Sequence, residues 1–305
     1  MMRCAALILA GILAGAAGPS PAKLSMGMTG SNATVSAFYA SDHGLFARQG
    51  LDVSIQITKE GSTAVTGLVS GDFQIAAPSG TVFLQAVDSG LDLLVVSPQY
   101  VFPTPTAIGV LAKSGGPIRA AADMIGQRIG VPGRGGLQDI LTHQWLAQSK
   151  VSPTGVVFVE LAFAQMADAL RGGQVDAVSA NDPVYNRIIQ EKLGTPIFDL
   201  RTLVPPGAVG GVYATTRDWA SHHDADLAAF RRAMADAIEA IRQDPAGAKA
   251  SIAHFTKLPA DVMATMEIPT LSPTIQPEQM AFWIDLMRQQ GLLTHSIAPE
   301  TVIAP

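Results

Sequence analysis

Leu68-Val69-Ser70-Gly71-Asp72-Phe73-Gln74 and Leu170-Arg171-Gly172-Gly173-Gln174-Val175-Asp176 carry the same local instructions at two distant places in the chain. In each, a helical stretch runs into a glycine, and a short strand begins two residues later. Glycine suits the end of a helix because it takes positive φ without a steric penalty. After each strand comes a polar turn fit to start a new helix: Pro78-Ser79-Gly80-Thr81 in the first case, Asn181-Asp182-Pro183 in the second. Ser79 and Asp182 are expected as N-caps and Pro183 as a first helical residue. Two such units predict two similar α/β lobes.

The same alternation continues on either side. Leu51 to Ile57 (LDVSIQI) alternates apolar and polar residues as a strand does. Phe73 to Ala77, Leu91 to Val96, Ala107 to Leu111, Arg128 to Val131, Val156 to Glu160 and Val175 to Ser179 are short runs bounded by Gly, Pro or Asp. Helical spacing fills the gaps, as where Leu137, Ile140, Leu141 and Trp145 share one face. Strand and helix in alternation argue for βαβ units and sheets covered on both faces. The last third is helical. Leu227, Phe230, Met234, Ile238 and Ile241 line one long helix that stops before Asp244-Pro245, and Met280, Trp283, Ile284 and Met287 line another that Gly291 ends.

Composition narrows the function. The 305 residues are 48% hydrophobic and 15% charged, enough apolar surface for a packed core and too much for a disordered chain. Twenty basic and 25 acidic residues give a net charge of −5, which argues against a nucleic-acid surface. The single cysteine, Cys4, excludes a disulfide framework and a thiolate-rich metal site. Arg3 followed by the uncharged run Ala5 to Ala17 is too short against the ~20 residues of a spanning helix and describes a secretory signal. Cleavage is expected at Ala14-Gly15-Ala16 or Ser20-Pro21-Ala22, giving a signal over residues 1–22 and an exported, periplasmic protein without cysteine.

Catalytic motifs are missing. There is no Gly-x-Ser-x-Gly elbow, no His-Glu-x-x-His and no phosphate loop ending in Gly-Lys-Ser/Thr. The six histidines do not fall at metal-ligand spacing, and adjacent His222 and His223 would point apart on a helix. Gly133-Arg134-Gly135-Gly136 follows a strand and opens a helix. It matches half of a dinucleotide fingerprint, with Gln138 in place of the last glycine and Glu160 where a ribose acid would stand. It also suits an anion site built from backbone N–H groups and Arg134, or a plain connecting turn. Similar strand-to-helix turns occur at Thr29-Gly30-Ser31-Asn32, Gly61-Ser62-Thr63 and Ser79-Gly80-Thr81. In an open parallel sheet they share the carboxyl edge, where ligands bind. Two lobes facing each other would line one cleft with small hydroxyls and backbone donors, better suited to holding a ligand than to transforming it. Of the aromatic residues near these turns, Phe163 and Tyr100 are expected to face a ligand; Phe38, Tyr39, Phe83, Phe102 and Tyr185 are expected in the core. Asp139 and Asp182 read as capping or dipole partners, or as partners for a ligand amine.

Phe38-Tyr39-Ala40-Ser41-Asp42-His43-Gly44-Leu45-Phe46, followed by Gln49-Gly50-Leu51-Asp52-Val53, resembles the opening of the sulfonate, nitrate, taurine and thiamin-precursor binding proteins of ABC importers. Leu68 to Ile75 resembles that family's Leu-x-x-Gly-x-x-Asp segment, and Leu170 to Ala177 with Asn181-Asp182-Pro183 its second-lobe counterpart. The resemblance implies a type II periplasmic binding protein of the α/β class, each lobe a mixed, mostly parallel sheet flanked by helices. It implies residues 23–106 with 204–305 as lobe I and residues 107–203 as lobe II. The connections would run near Thr106 to Ala112 and Leu200 to Gly211. It implies hinge closure on a small anionic solute of the sulfonate kind, delivery to a membrane permease, no cofactor and no catalysis. The expected polar contacts are Thr29, Ser31, Asn32, Ser62, Ser79, Thr81, Gly135, Gly136 and Asn181. Arg134 is expected to pair a charge and Phe163 to give apolar contact. A pyrimidine or other aromatic ligand held by Tyr100 and Phe163, and an enzyme on the same fold, stay open. The family's lobe II turn often carries hydroxyls, which Gly133 to Gly136 lack. Its pyrimidine-forming enzymes carry a cysteine cluster that is absent here.

Overall fold

The computed structural model describes residues 20–305. The expected signal falls outside the described residues except for its last three positions. Ala22 already pairs with Leu51, and its N–H donates to Gly50 O at 3.0 Å. A cut after Ala16 would leave the first strand whole; a cut after Ala22 would remove its first residue.

Among the described residues ten strands form two five-stranded sheets. The first holds β1 (Ala22–Thr29), β2 (Leu51–Thr58), β3 (Ile75–Ala77), β4 (Leu93–Val101) and β10 (Val209–Thr216), in the order β2-β1-β3-β10-β4. The second holds β5 (Ile108–Lys113), β6 (Arg128–Val131), β7 (Val157–Glu160), β8 (Ala177–Asn181) and β9 (Gly194–Asp199), in the order β7-β6-β8-β5-β9. The orders are equivalent. In each sheet three parallel strands are followed by one antiparallel strand, β10 or β5. That fourth strand is the one that arrives from the other lobe. The two echoed segments precede β3 and β8, the third strand of each sheet. Their glycines, Gly71 and Gly173, end the preceding helices with φ of 85° and 70°.

The helices are α1 (Val35–Asp42), α2 (Leu45–Arg48), α3 (Gly61–Ser70), α4 (Gly80–Asp88), α5 (Leu137–Gln148), α6 (Phe163–Gly172), α7 (Val184–Gln190), α8 (Arg217–His222), α9 (Asp224–Gln243), α10 (Pro245–Thr256), α11 (Ala260–Thr265) and α12 (Glu278–Gln289). The apolar stripes predicted for α5, α9 and α12 are buried. Under α1 and α9, Met26, Met28, Phe38 and Phe230 pack on one face of the lobe I sheet. A second cluster runs from Phe83, Phe102 and Trp283 in lobe I to Leu137, Ile140 and Trp145 in lobe II, so apolar contact is continuous across the lobes. No described helix is long and apolar enough to cross a membrane.

The chain passes between lobes twice. The first passage runs over residues 102–107, ahead of the expected Thr106 to Ala112, because Ile108 to Lys113 forms the central strand β5. The return runs over residues 200–208. The last residues come back to lobe I: Ile303 bridges Val95 on β4, and Arg231 donates to Val96 O and Ala304 O, each at 2.9 Å.

Candidate functional site

A cleft of about 660 Å³, part of it open to solvent, lies between the sheets. Lobe I contributes Thr29, Ser31, Ala33, Glu60, Gly61, Ser62, Ala77, Ser79, Val82, Gln99, Tyr100 and Gly210. Lobe II contributes Pro132, Gly133, Arg134, Gly136, Leu137, Gln138, Phe163 and Asn181. Most of these follow the carboxyl ends of parallel strands, as the geometry of such sheets requires. Helices α3, α4, α5 and α6 all begin at this cleft, so four amino-terminal dipole ends meet in one space.

Of the residues expected from sequence, the structure brings together Thr29, Ser31, Ser62, Ser79, Arg134, Gly136, Phe163 and Asn181 on the cleft wall. Asn32, Thr81 and Gly135 lie behind it. Asn32 is buried and donates through Nδ2 to Thr106 Oγ1 and Glu267 O, each at 3.3 Å, which ties the first turn to the interlobe passage. Thr81 is fully buried, with its hydroxyl 2.9 Å from Ser79 Oγ. Gly135 N–H donates to Asp139 Oδ2 at 2.7 Å. Ser79 caps α4 by accepting from Val82 N–H at 3.3 Å, as expected. Asp182 does not cap α7, whose N-cap is Pro183; its Oδ2 accepts from Ala107 N–H at 3.2 Å instead. A ribose-binding role is not needed to explain Glu160, since its Oε1 accepts the Arg134 N–H at 2.9 Å.

The wall also holds residues that sequence reasoning missed. Gln99 donates through Nε2 to Pro78 O at 2.9 Å and Val212 O at 2.8 Å, which fixes its carboxamide at the end of β4. Beside it stands Tyr100, which was expected to face a ligand; burial pushes its hydroxyl far above its ordinary ionisation range, so it stays neutral. A Cβ on Gly210 would run into the Tyr100 ring, so that glycine makes room for the aromatic wall. Gln138, 7% exposed, adds a second carboxamide beside that of Asn181, which was expected here and is 5% exposed. Glutamines carry no periodic signal of a site, so Gln99 and Gln138 were not legible as wall residues.

Charge is sparse on this wall: among the lining residues Glu60 is the acid and Arg134 the base. The Arg134 guanidinium lies 3.8 Å from Asp139 Oδ1 and 5.0 Å from the centre of the Phe158 ring. His143, 4.0 Å from Asp139, has its basicity lowered by burial and then raised by that carboxylate, the first effect being the larger. Among the described residues no group of three His, Cys, Asp or Glu side chains could hold a metal ion.

Residues 32–248 match the family described as NMT1/THI5 like. The riboflavin-binding protein RibY of Chloroflexus aurantiacus is 31% identical over 156 residues, 49% of this chain and 43% of that relative's length. The alkanesulfonate-binding protein SsuA of Xanthomonas axonopodis pv. citri, solved with MOPS, superposes with a TM-score of 0.80 at 23% identity, covering 94% of this chain and 99% of that one. The periplasmic nitrate-binding protein NrtA of Synechocystis PCC 6803 gives a TM-score of 0.77 at 14% identity, covering 93% of this chain and 85% of that one. At such identities the two structures speak for the fold, that of a two-lobed periplasmic binding protein, which is the fold class expected from the sequence.

Proposed function

This chain belongs to the NMT1/THI5-like family, and on that premise we propose that it is the exported solute-binding protein of an ABC importer. It captures a small organic solute between its lobes in the periplasm and passes it unaltered to a membrane permease. The observation that carries this reading is the convergence of strand-end turns and four helix amino ends from both sheets on one cleft. Donors of this kind hold acceptor oxygens without reorganising. Hydroxyls and carboxamides outnumber titratable groups on the wall, so there is little acid–base machinery to drive a reaction. The named relatives are themselves called binding proteins.

Two ligand classes fit the expectations. The first is a small anion of the sulfonate kind, received by the helix ends and Arg134; the names of SsuA and NrtA support it. The second is an uncharged aromatic ring against Tyr100 and Phe163. It is favoured by the existing engagement of Arg134 with Asp139 and Phe158, and by the likeness to a riboflavin binder.

Mass spectrometry of small molecules carried through purification, followed by a thermal-shift screen, tests the proposal. A true ligand at a hundred times its dissociation constant stabilises the native state by ~2.7 kcal/mol and raises the melting temperature by several degrees. Chemical conversion of the bound compound, or a failure of every compound found to stabilise the protein, would count against it.

A further inference from the structure

The turn Gly133–Gly136 is where an anionic head group would be met, at the amino end of the twelve-residue helix α5. The N–H groups of Arg134, Gly135 and Gly136 are already taken. Arg134 N–H donates to Glu160 Oε1 at 2.9 Å, Gly135 N–H to Asp139 Oδ2 at 2.7 Å, and Gly136 N–H to Gly133 O at 3.2 Å. Asp139 is 3% exposed, and its other oxygen makes no hydrogen bond among the described residues. A buried carboxylate left so needs an offsetting charge. The Arg134 guanidinium, 3.8 Å away, provides it. The carboxylate of Glu60 reaches across from lobe I to the same turn, close to where a Cβ on Gly133 would stand. Three carboxylates therefore lie at this turn, and of them Asp139 is within ion-pair distance of the Arg134 guanidinium.

We propose that the protein carries its own anions on this wall: Glu160 and Asp139 hold two N–H groups of the turn and put negative charge where a sulfonate or carboxylate would sit, so the cleft selects a solute that meets lobe II with an uncharged acceptor, such as a ring carbonyl or an amide. The inference rests on the solute-receptor reading and decides between its two ligand classes. What remains free to bind on that side is uncharged: the Gln138 and Asn181 carboxamides and the first N–H groups of α5 at Leu137 and Gln138. An oxyanion placed at the turn would sit beside like charges at short range, and the Arg134 guanidinium that could offset them is already paired with Asp139. A carbonyl oxygen meets no such repulsion.

The probe is sodium methanesulfonate, titrated by calorimetry into the wild-type chain, Glu160→Gln and Glu160→Gln/Asp139→Asn, with sodium chloride as the ionic-strength control. The expected result is that Glu160→Gln binds methanesulfonate at least about tenfold more tightly than the wild type, a difference of ~1.4 kcal/mol, and the double variant at least as tightly again. Glu160 is exposed, so the single variant carries the test if circular dichroism shows the double variant unfolded. Equal affinity in wild type and variant, tighter binding by the wild type, or no binding by Glu160→Gln would overturn the proposal. A wild type that holds a sulfonate tightly overturns this inference and leaves the receptor reading standing. The receptor reading falls separately, if no co-purified or screened compound stabilises the wild type.

Discussion

Asp182 shows how much a single side chain at the passage between lobes can decide. One of its oxygens accepts the Ala107 N–H at 3.2 Å, and the other is buried without a hydrogen-bond partner among the described residues. Burial raises its pKa to about 6; the backbone N–H groups of Ala107 and Asn186 and the charge of Arg201 pull it down, and Glu267 pushes it up. Tyr185 and Asp199 complete the charged surroundings through their coupling to Asp182 and Arg201. The folded state therefore prefers the neutral carboxyl. Stability from this group is fully present below pH ~4 and is lost as the pH climbs through about 6, at a cost on the order of 2 kcal/mol by neutrality. Asp182→Asn keeps an oxygen for Ala107 and cannot ionise. Urea unfolding at pH 4.5 and pH 7.5 should show the variant gaining on the wild type only at the higher pH; an equal difference at both would refute the assignment. The capping role read from sequence missed this because the neighbour that claims the carboxylate, Ala107, is remote in the chain. The same limit explains Asn32 and Thr81. Their positions in strand-end turns were legible, but the direction of each side chain depends on the tertiary partner it finds.

Among elements, the parallel strands other than β1 and the helices with apolar stripes were legible because periodicity writes them into the sequence. β9 and β10 were not read, since Gly194–Asp199 carries a proline and Val209–Thr216 carries adjacent glycines, both poor strand signals. Pairing with β5, and with β3 and β4, overrides those preferences. The turn before α5 was legible as a special turn but not as a filled one. Its Gly135 has φ of 70°, and a Cβ there would run into the Gln85 carboxamide on α4 of the opposite lobe. Gly135→Ala should therefore oppose closure and weaken retention of the co-purified ligand by about tenfold or more, partly by the strain of a positive φ. Adding Gln85→Ala should restore part of the affinity by removing the clash. A ligand dissociation constant unchanged by Gly135→Ala would show that the lobes need not approach this closely.

For the molecule as a whole, the lobes are joined by more than the two passages. On the far side of the cleft Gln190 donates through Nε2 to Thr265 Oγ1 at 2.7 Å and Asp261 O at 3.2 Å, and Asn186 through Nδ2 to Thr265 O at 3.3 Å, linking α7 of lobe II to α11. Gln290 donates to Ile140 O at 3.0 Å, linking the end of α12 to α5. Each exposed bond is worth about 0.5–1.5 kcal/mol. Asn186→Ala/Gln190→Ala should shift the unliganded protein toward the open form and raise the apparent dissociation constant severalfold through the smaller closed fraction. Small-angle scattering would register a larger radius of gyration without ligand and an unchanged one at saturation. An unaltered radius in both states would show that these bonds do not hold the lobes.

The interleaving of the sheets also sets the order in which they can be completed. Lobe II draws its five strands from one unbroken stretch, Ile108 to Asp199, whereas the lobe I sheet lacks its fourth strand until Val209–Thr216 is in place between β3 and β4. In a chain emerging amino end first, lobe II has all its strands while lobe I still has an open slot in its middle. Residues 303–304 close over the β4 edge, through the Ile303–Val95 bridge and the Ala304 N–H donated to Val95 O, and so reach lobe I later than the strand they cover.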